Sequence, residues 1–259
     1  MRRAFTRAVS PRLAECELTH LERAPIDAAR ATSQHAEYER ALLGAGFEII
    51  RLPDLPYAPD AVFVEDTAIL LGEHAIITRP GAPSRAAETA STASTLANEF
   101  ELHRVAGGHL DGGDVLRIGN RLYVGLSSRT DTNGIAALND LVRPLGFLVT
   151  TAQLRQCLHL KTGATFAGRD PAGTPVLIYH ETSVDPRQFA GVDCIAVASD
   201  EPAAANCVRA GSCLILPSGN PRTADILRRR RFDVVEVDVS ELQKAEAGVT
   251  CMSLIDERT

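Results

Sequence analysis

A strand-like motif returns five times along this chain, with anchor residues at 47, 100, 147, 192 and 232. Gly46-Phe47-Glu48-Ile49-Ile50-Arg51-Leu52 resembles Glu99-Phe100-Glu101-Leu102-His103-Arg104-Val105. Gly146-Phe147-Leu148-Val149-Thr150-Thr151 and Arg231-Phe232-Asp233-Val234-Val235-Glu236-Val237 follow the same pattern, and Gly191-Val192-Asp193-Cys194-Ile195-Ala196-Val197 is a weaker copy. All five alternate or run apolar as strands do. Helix-like stretches precede the anchors, with residues 29–45, 84–98, 131–145 and 220–230 as examples. Hairpin signals follow them. Residues 116–124 place Gly119-Asn120 between two alternating runs, and Asp170–Gly173 and Arg209–Ser212 carry turn residues at the matching places. The unit is strand, loop, hairpin, helix. Periods of this size with several strands per unit predict an α/β fold of about five units set around an axis. The competing arrangement, a common α/β domain with chance spacing, lacks support because no Gly-rich phosphate loop follows a strand. No linker or low-complexity stretch interrupts the pattern, so residues 1–259 are expected to form one domain.

The chain is 45% apolar and 23% charged with a net charge of −6, an ordinary globular composition. Lys and Arg are dispersed, which argues against a nucleic-acid surface. The cluster Arg228-Arg229-Arg230-Arg231 sits where a helix should end, and cations suit that end of a helix. No apolar run approaches the roughly 20 residues that cross a bilayer. Met1-Arg2-Arg3 is not followed by a signal-peptide core, and a first strand is expected around Ala4–Val9. The six cysteines show neither a C-x-x-C pair nor zinc spacing, so reduced thiols in a cytoplasm are expected, most of them buried.

The chemistry-bearing residues fall at equivalent places in the repeat. Asp60 to Asp66 come 13 to 19 residues after their anchor, Asp111 comes 11 after, His159 12 after, Asn206 14 after and Cys251 19 after. Units around an axis would bring all of these to one end of it. Taken singly, a core cysteine, a satisfied strand histidine and an Asp-Gly-Gly-Asp turn are the commoner readings; shared repeat position is what argues for a site. There Cys251 can serve as a nucleophile, His159 can give a proton to a leaving group and then activate water, and Asp111 can orient His159. Gly112-Gly113 allows close backbone approach. Phe63-Val64-Glu65-Asp66-Thr67 puts two carboxylates in an apolar strand context, and Asp60 adds a third. Such groups are costly to bury without a cation. A solvated edge or a structural ion pair would meet that need, and so would a ligand guanidinium, whose planar fork matches paired carboxylates. Arg79, Arg85 and Arg129 are available for a carboxylate at the other end of such a ligand. The substrate expected is a small zwitterion with a guanidinium. The acidic surroundings disfavour a free thiolate, so Cys251 is expected to be mostly protonated until the cation arrives.

The residues Leu18, Asp60, Phe63-Val64-Glu65-Asp66 and Ile76-Ile77-Thr78-Arg79-Pro80-Gly81-Ala82 through Arg85 resemble those of a known superfamily. So do Leu110-Asp111-Gly112-Gly113-Asp114-Val115-Leu116, Tyr123-Val124-Gly125-Leu126-Ser127 with Arg129-Thr130, and Leu158-His159-Leu160-Lys161-Thr162-Gly163. Ala205-Asn206-Cys207 and Val249-Thr250-Cys251-Met252-Ser253-Leu254 complete the match, in order over nearly the whole chain. The superfamily is that of the guanidino-group-modifying enzymes with the pentein β/α-propeller fold, and the likeness is greatest to its members that hydrolyse Nω-methylated arginines. The resemblance implies five pseudo-repeated strand-helix units around a central axis. It implies attack by Cys251 on the guanidinium carbon, proton donation by His159 to the departing methylamine or dimethylamine, and hydrolysis of a thiouronium intermediate to citrulline. Asp66 with Glu65 beside it would hold the guanidinium, and Asp111 would support His159 or the substrate nitrogens. Arg85 and Arg129 would clamp the α-carboxylate, and Asp60 with backbone carbonyls near Leu18 and Ala245 would take the α-amino group. Some members carry Glu at the position of Asp111. Asn206 reads as structural. Neither metal nor organic cofactor is implied, and the only partner is the small-molecule substrate, with the chain a monomer or homodimer. Another guanidine hydrolase of the same fold, deiminase-like or acting on a different alkylguanidine, is the alternative, although no helical insertion of the deiminase kind is visible. Residues 10–30 are irregular and are expected to form a mobile flap.

Overall fold

The computed structural model describes residues 2–258, whose strands form five three-stranded sheets. The first sheet contains β1 (Arg3–Thr6) and β2 (Glu48–Arg51). The second contains β3 (Ala68–Leu71), β4 (His74–Ile77) and β5 (Glu101–Arg104), and the third β6 (Val115–Ile118), β7 (Arg121–Leu126) and β8 (Leu148–Gln153). The fourth holds β9 (Ala164–Arg169), β10 (Pro175–Tyr179) and β11 (Asp193–Ala196), and the fifth β12 (Val208–Ala210), β13 (Cys213–Pro217) and β14 (Asp233–Val237). In sheets two to five the first two strands form an antiparallel hairpin and the third runs parallel to the second. The first sheet reaches the same pattern by closing the ring: β15 (Leu254–Asp256) pairs antiparallel with β1, and β2 pairs parallel with it. The arrangement is a five-unit α/β propeller. The leading strands lie near their neighbours, β15 beside β3, β6 beside β9 and β9 beside β12.

Helices α1 (Ala28–Gly44), α2 (Glu88–Leu96), α3 (Thr132–Val142) and α5 (Pro221–Arg229) precede four of the five anchors, as the pattern predicts; α4 (Leu160–Gly163) and α6 (Ser240–Gln243) are single turns. Each long helix buries one face, as α3 does with Ile135, Leu138 and Val142. Asp27 caps α1 by accepting from the Ala29 and Arg30 amides, both at 3.0 Å. In four of the units the residue before the anchor is left-handed: Gly46 (φ 85°) and Gly146 (φ 87°) after their helices and Gly191 (φ 78°) after a loop take it freely, whereas Arg231 is forced to φ 67°.

Two details differ from expectation. The fourth unit carries no helix before its anchor; residues 180–192 make loop and one 3-10 turn, Pro186–Gln188, because the stretch is short, is broken by Pro186 and has no 3.6-residue apolar period. The first strand stops at Thr6 rather than near Val9, because its partner β2 ends at Arg51 and Pro53 cannot donate to a ladder.

Candidate active site

In every unit a short turn stands immediately before the leading strand, and the candidate side chains sit on these turns. Asp66 lies in the 3-10 turn Val64–Thr67, Asp111 opens the turn Gly112–Asp114, and His159 opens α4. Asn206 follows the turn Pro202–Ala205, and Cys251 lies within Thr250–Met252. Residues scattered over some 190 positions thereby meet at one end of the axis.

His159 is buried between carboxylates. Its Nε2 lies 3.0 Å from Asp111 Oδ2, and its Nδ1 3.8 Å from Asp66 Oδ1. Burial alone would push the imidazole down, but Asp66, Asp114 and Asp111 outweigh it and raise its pKa to about 9. Asp111 is fully buried; its second oxygen accepts from the Gly81 amide at 2.8 Å. It therefore stands behind the imidazole rather than on the cavity wall. Asp66 accepts from the Gly113 amide at 3.1 Å and pairs with Arg85. Burial opposes its charge, yet His159, Arg85 and that amide hold its pKa below the usual carboxylate value. A Cβ on Gly113 would come within 2.7 Å of both Asp66 Oδ1 and His159 Nδ1, so only glycine fits. Asp66, Asp111 and His159 are close enough together to suit a metal ion. Their lone pairs are already engaged by Arg85, by backbone amides and by each other.

Cys251 lines the same cavity as His159, Asp66, Asp60, Phe63, Arg85 and Arg129. Desolvation, then Glu65 and Asp66, push its thiol up to about 12. The Gly248 amide points at its sulfur, 3.4 Å away. Asn206 fixes the turn that carries it, donating to the Lys161 carbonyl and to Thr250 Oγ1, each at 3.0 Å, and accepting from the Thr250 amide at 2.9 Å.

The outer part of the cavity joins both charges. Asp60 is buried and accepts from the Glu17 amide at 3.1 Å; burial raises its pKa to about 6. Arg129 donates to Thr19 Oγ1 at 3.1 Å and makes no ion pair among the described residues. Arg85 is buried and heavily engaged, with Asp66, with Glu88 Oε2 at 2.8 Å and with the Phe63 carbonyl at 2.8 Å. Ala245 is buried on the wall, and Leu18 is half-buried next to Glu17. Within the expected flap region the Thr19, His20 and Leu21 amides all donate to the Glu246 carboxylate. Arg79 is exposed in a bridge with Leu110 and does not line the cavity.

Glu65 departs from expectation. It does not line the cavity. Its two oxygens take Lys161 Nζ at 2.6 Å and Thr250 Oγ1 at 2.7 Å, and it faces a second chamber of about 580 Å³ on the far side of the ring. Successive residues of a 3-10 turn point about 120° apart, so Glu65 and Asp66 cannot face the same way. Sequence reasoning also passed over Asp114, whose oxygens take the Leu160 amide at 2.9 Å and Ser127 Oγ at 2.6 Å and so place the turn bearing His159. Its position in Asp111-Gly112-Gly113-Asp114 was the available signal. Lys161 and Thr250, the partners of Glu65, lie inside the matched motifs around His159 and Cys251 without any mark of that contact, and Glu88, the partner of Arg85, carried no signal.

Comparison with known proteins places this arrangement. The arginine deiminase family model matches residues 49–181. An N(G),N(G)-dimethylarginine dimethylaminohydrolase of Streptomyces coelicolor is 37% identical over 255 residues, covering 98% of this chain and 96% of the relative. The enzyme of the same name from Pseudomonas aeruginosa is 35% identical over 231 residues, 88% of this chain and 89% of the relative. The solved structure of a cysteine-to-serine variant of the Pseudomonas aeruginosa protein with citrulline superposes with a TM-score of 0.91 at 32% identity, covering 98% of both chains. The amino-terminal domain of a cyanobacterial arginine dihydrolase, at 18% identity and a TM-score of 0.85, shares the fold.

Proposed function

This chain belongs to the dimethylarginine dimethylaminohydrolase family, and we propose that it hydrolyses Nω-methylated L-arginines to L-citrulline and methylamine or dimethylamine. The observation that carries the proposal is the convergence of Cys251, a carboxylate-flanked His159 and Asp66 on one cavity whose outer part holds Asp60, Arg85 and Arg129. The citrulline complex of the Pseudomonas aeruginosa relative supports the product.

In the empty site His159 is an imidazolium and Cys251 a thiol, because both pKa values stand above neutrality. A guanidinium beside Asp66 offsets the carboxylate field, so the thiol loses its proton to solvent as the cation enters. The thiolate forms a C–S bond to the guanidinium carbon. His159 gives its proton to the departing amine as the C–N bond breaks, leaving a thiouronium on Cys251. Neutral His159 then takes a proton from water as the hydroxide adds to the same carbon; the C–S bond breaks with its electron pair returning to sulfur, and the new hydroxyl gives its proton to solvent as citrulline leaves. Asp111, behind the imidazole, keeps His159 oriented and favours its charged form. Holding guanidinium and sulfur in register lowers the barrier; fixed geometry contributes up to about 7–11 kcal/mol in model reactions.

At the amino-acid end Arg129 meets the α-carboxylate together with Arg85, which is also held by Asp66 and Glu88. Asp60, with the backbone near Leu18 and Ala245, receives the α-ammonium, which draws its buried carboxyl into the ionised form. Glu65 acts from the far side of Asp66 by fixing Thr250 and hence the turn of Cys251. The same reading takes residues 1–259 as one catalytic domain working in the cytoplasm as a monomer or homodimer, in keeping with six free cysteines and with the lack, among the described residues, of a helix long and apolar enough to cross a membrane.

The test is citrulline formation from asymmetric dimethylarginine by the native protein and by Cys251→Ser. Native activity is expected, with a loss of roughly 10⁴-fold or more in the variant. Equal turnover by both would remove Cys251 from the mechanism, and preferential turnover of unmethylated arginine would move the chain to a deiminase.

A further inference from the structure

Away from the catalytic cavity, β4 and β5 carry a second constellation with ligating chemistry. Their parallel register sets His74 opposite Glu101 and Ile76 opposite His103. Side chains two apart on a strand share a face, so His74, Glu101 and His103 stand together. His103 Nε2 lies 3.1 Å from His74 Nδ1, His74 Nδ1 lies 3.3 Å from Glu101 Oε2, and His103 Nε2 lies 3.8 Å from Glu101 Oε1. Two imidazole nitrogens and a carboxylate oxygen bound tetrahedrally at 2.0–2.1 Å would stand about 3.3–3.4 Å apart. The separations of 3.1 and 3.3 Å lie close to that edge length; the 3.8 Å separation is to the other Glu101 oxygen, so closing on an ion needs only one oxygen of this exposed side chain to turn toward both imidazoles. The His74 and His103 side chains are 24% and 20% exposed and Glu101 is 68% exposed, so the triangle is walled on the protein side and open to solvent.

We propose that His74, Glu101 and His103 form a binding site for a late first-row divalent cation of the zinc class, with water in the fourth position. Two neutral imidazoles and one carboxylate leave a single positive charge on the bound ion, and nitrogen with carboxylate donors suits zinc, cobalt, nickel or copper better than magnesium or calcium. The ion would tie β5, the outer strand of its sheet, to β4, and a one-residue slip in their pairing would turn the ligands to opposite faces. The site shares no residue with the catalytic cavity, so it is independent of the proposed activity.

The test titrates the full chain with zinc ions alone, by calorimetry, in the native protein and in His74→Ala and His103→Ala. Both side chains are partly exposed, and a thermal melt of each metal-free variant checks that it folds. One binding event and a zinc-dependent rise in melting temperature are expected in the native protein, and both are expected to vanish in each variant. Cobalt bound to the native protein should give a four-coordinate visible spectrum without thiolate charge transfer, which separates this site from binding at Cys251 or another cysteine. Identical isotherms for the native protein and both variants would overturn the proposal, as would cobalt bands carrying sulfur character that the histidine variants leave unchanged; the two imidazoles would then share a proton and nothing more.

Discussion

The two ends of the propeller axis carry opposite charge in different states of solvation. At the catalytic end Asp60, Asp66, Asp111 and Asp114 are buried around one histidine and one buried arginine. At the other end, the large chamber is rimmed by Arg117, Arg169, Arg209 and Arg258. Three of these lie over aromatic rings, Arg117 over Phe147 at 5.1 Å, Arg209 over Phe166 at 5.9 Å and Arg258 over Phe100 at 3.8 Å. Arg258 also pairs with Asp256 at 2.9 Å and Glu73 at 2.7 Å. The arginines at that rim keep water, a ring face or a carboxylate, and the one buried carboxylate there, Asp256, is matched by Arg258 and Arg3. Charges at the catalytic end have lost water, and their protonation is correspondingly displaced: His159 and Asp60 upward, Asp66 downward. At the inner wall of that chamber, nearest the catalytic turns, Lys161 pairs with Glu65. Desolvation, rather than the number of charges, distinguishes the reactive end.

Asp66→Asn should disturb this contrast most. It strips a buried arginine and a buried imidazolium of their shared counter-charge, at a cost of about 3–5 kcal/mol. A denaturant melt measures the loss, and turnover should fall with it; a variant as stable as the native protein would show that Glu88 alone satisfies Arg85. Next in size is the titration of His159. Its folded pKa, about 9, exceeds the ordinary 6.5, so its contribution is complete below about pH 6.5 and is lost as pH rises through 9. The full contribution is on the order of 3 kcal/mol. Stability curves of native protein and His159→Gln should converge over that window, and parallel curves would place the imidazole's proton elsewhere. Lys161→Met probes the inner wall of the chamber. It leaves Glu65 with Thr250 as its only partner, should cost about 1–3 kcal/mol, and should slow alkylation of Cys251 because Glu65 then bears on the thiol uncompensated. Unchanged alkylation would mean that Glu65 is screened from the sulfur. The smallest effect is expected far from either end: Arg231→Gly relieves the one left-handed residue among the helix-to-anchor turns that is not glycine, for a gain of about 0.5–1 kcal/mol in thermal stability. A loss instead would show that the Arg231 side chain contributes more than its backbone costs.

The sequence made the ring legible through its spacing, because the anchors at Phe47, Phe100, Phe147 and Phe232 each stand between a helix and the parallel strand that follows it. It also drew Asp66, Asp111, His159 and Cys251 together, since each occupies the turn before a leading strand. Closure of the ring was not readable: β15 pairs with β1 across some 250 residues, and neither strand carries a local mark of its partner. Nor was the direction of Glu65, because adjacency in sequence says nothing of facing until the turn is known to be 3-10. The missing fourth helix could have been anticipated from Pro186 and the short interval before residue 193. The anchoring of residues 19–21 by Glu246 joins two irregular segments, where no periodicity exists to be read.

The join between β15 and β1 rests on three residue pairs, and Cys251 stands three residues upstream of it. The β12–β13 hairpin has as few pairs but a short turn holds its strands together, whereas nothing local holds this clasp shut. Gentle heating or mild denaturant should therefore silence the thiol while the other four sheets still hold their shape, and inactivation would mark the opening of the clasp rather than the melting of the protein.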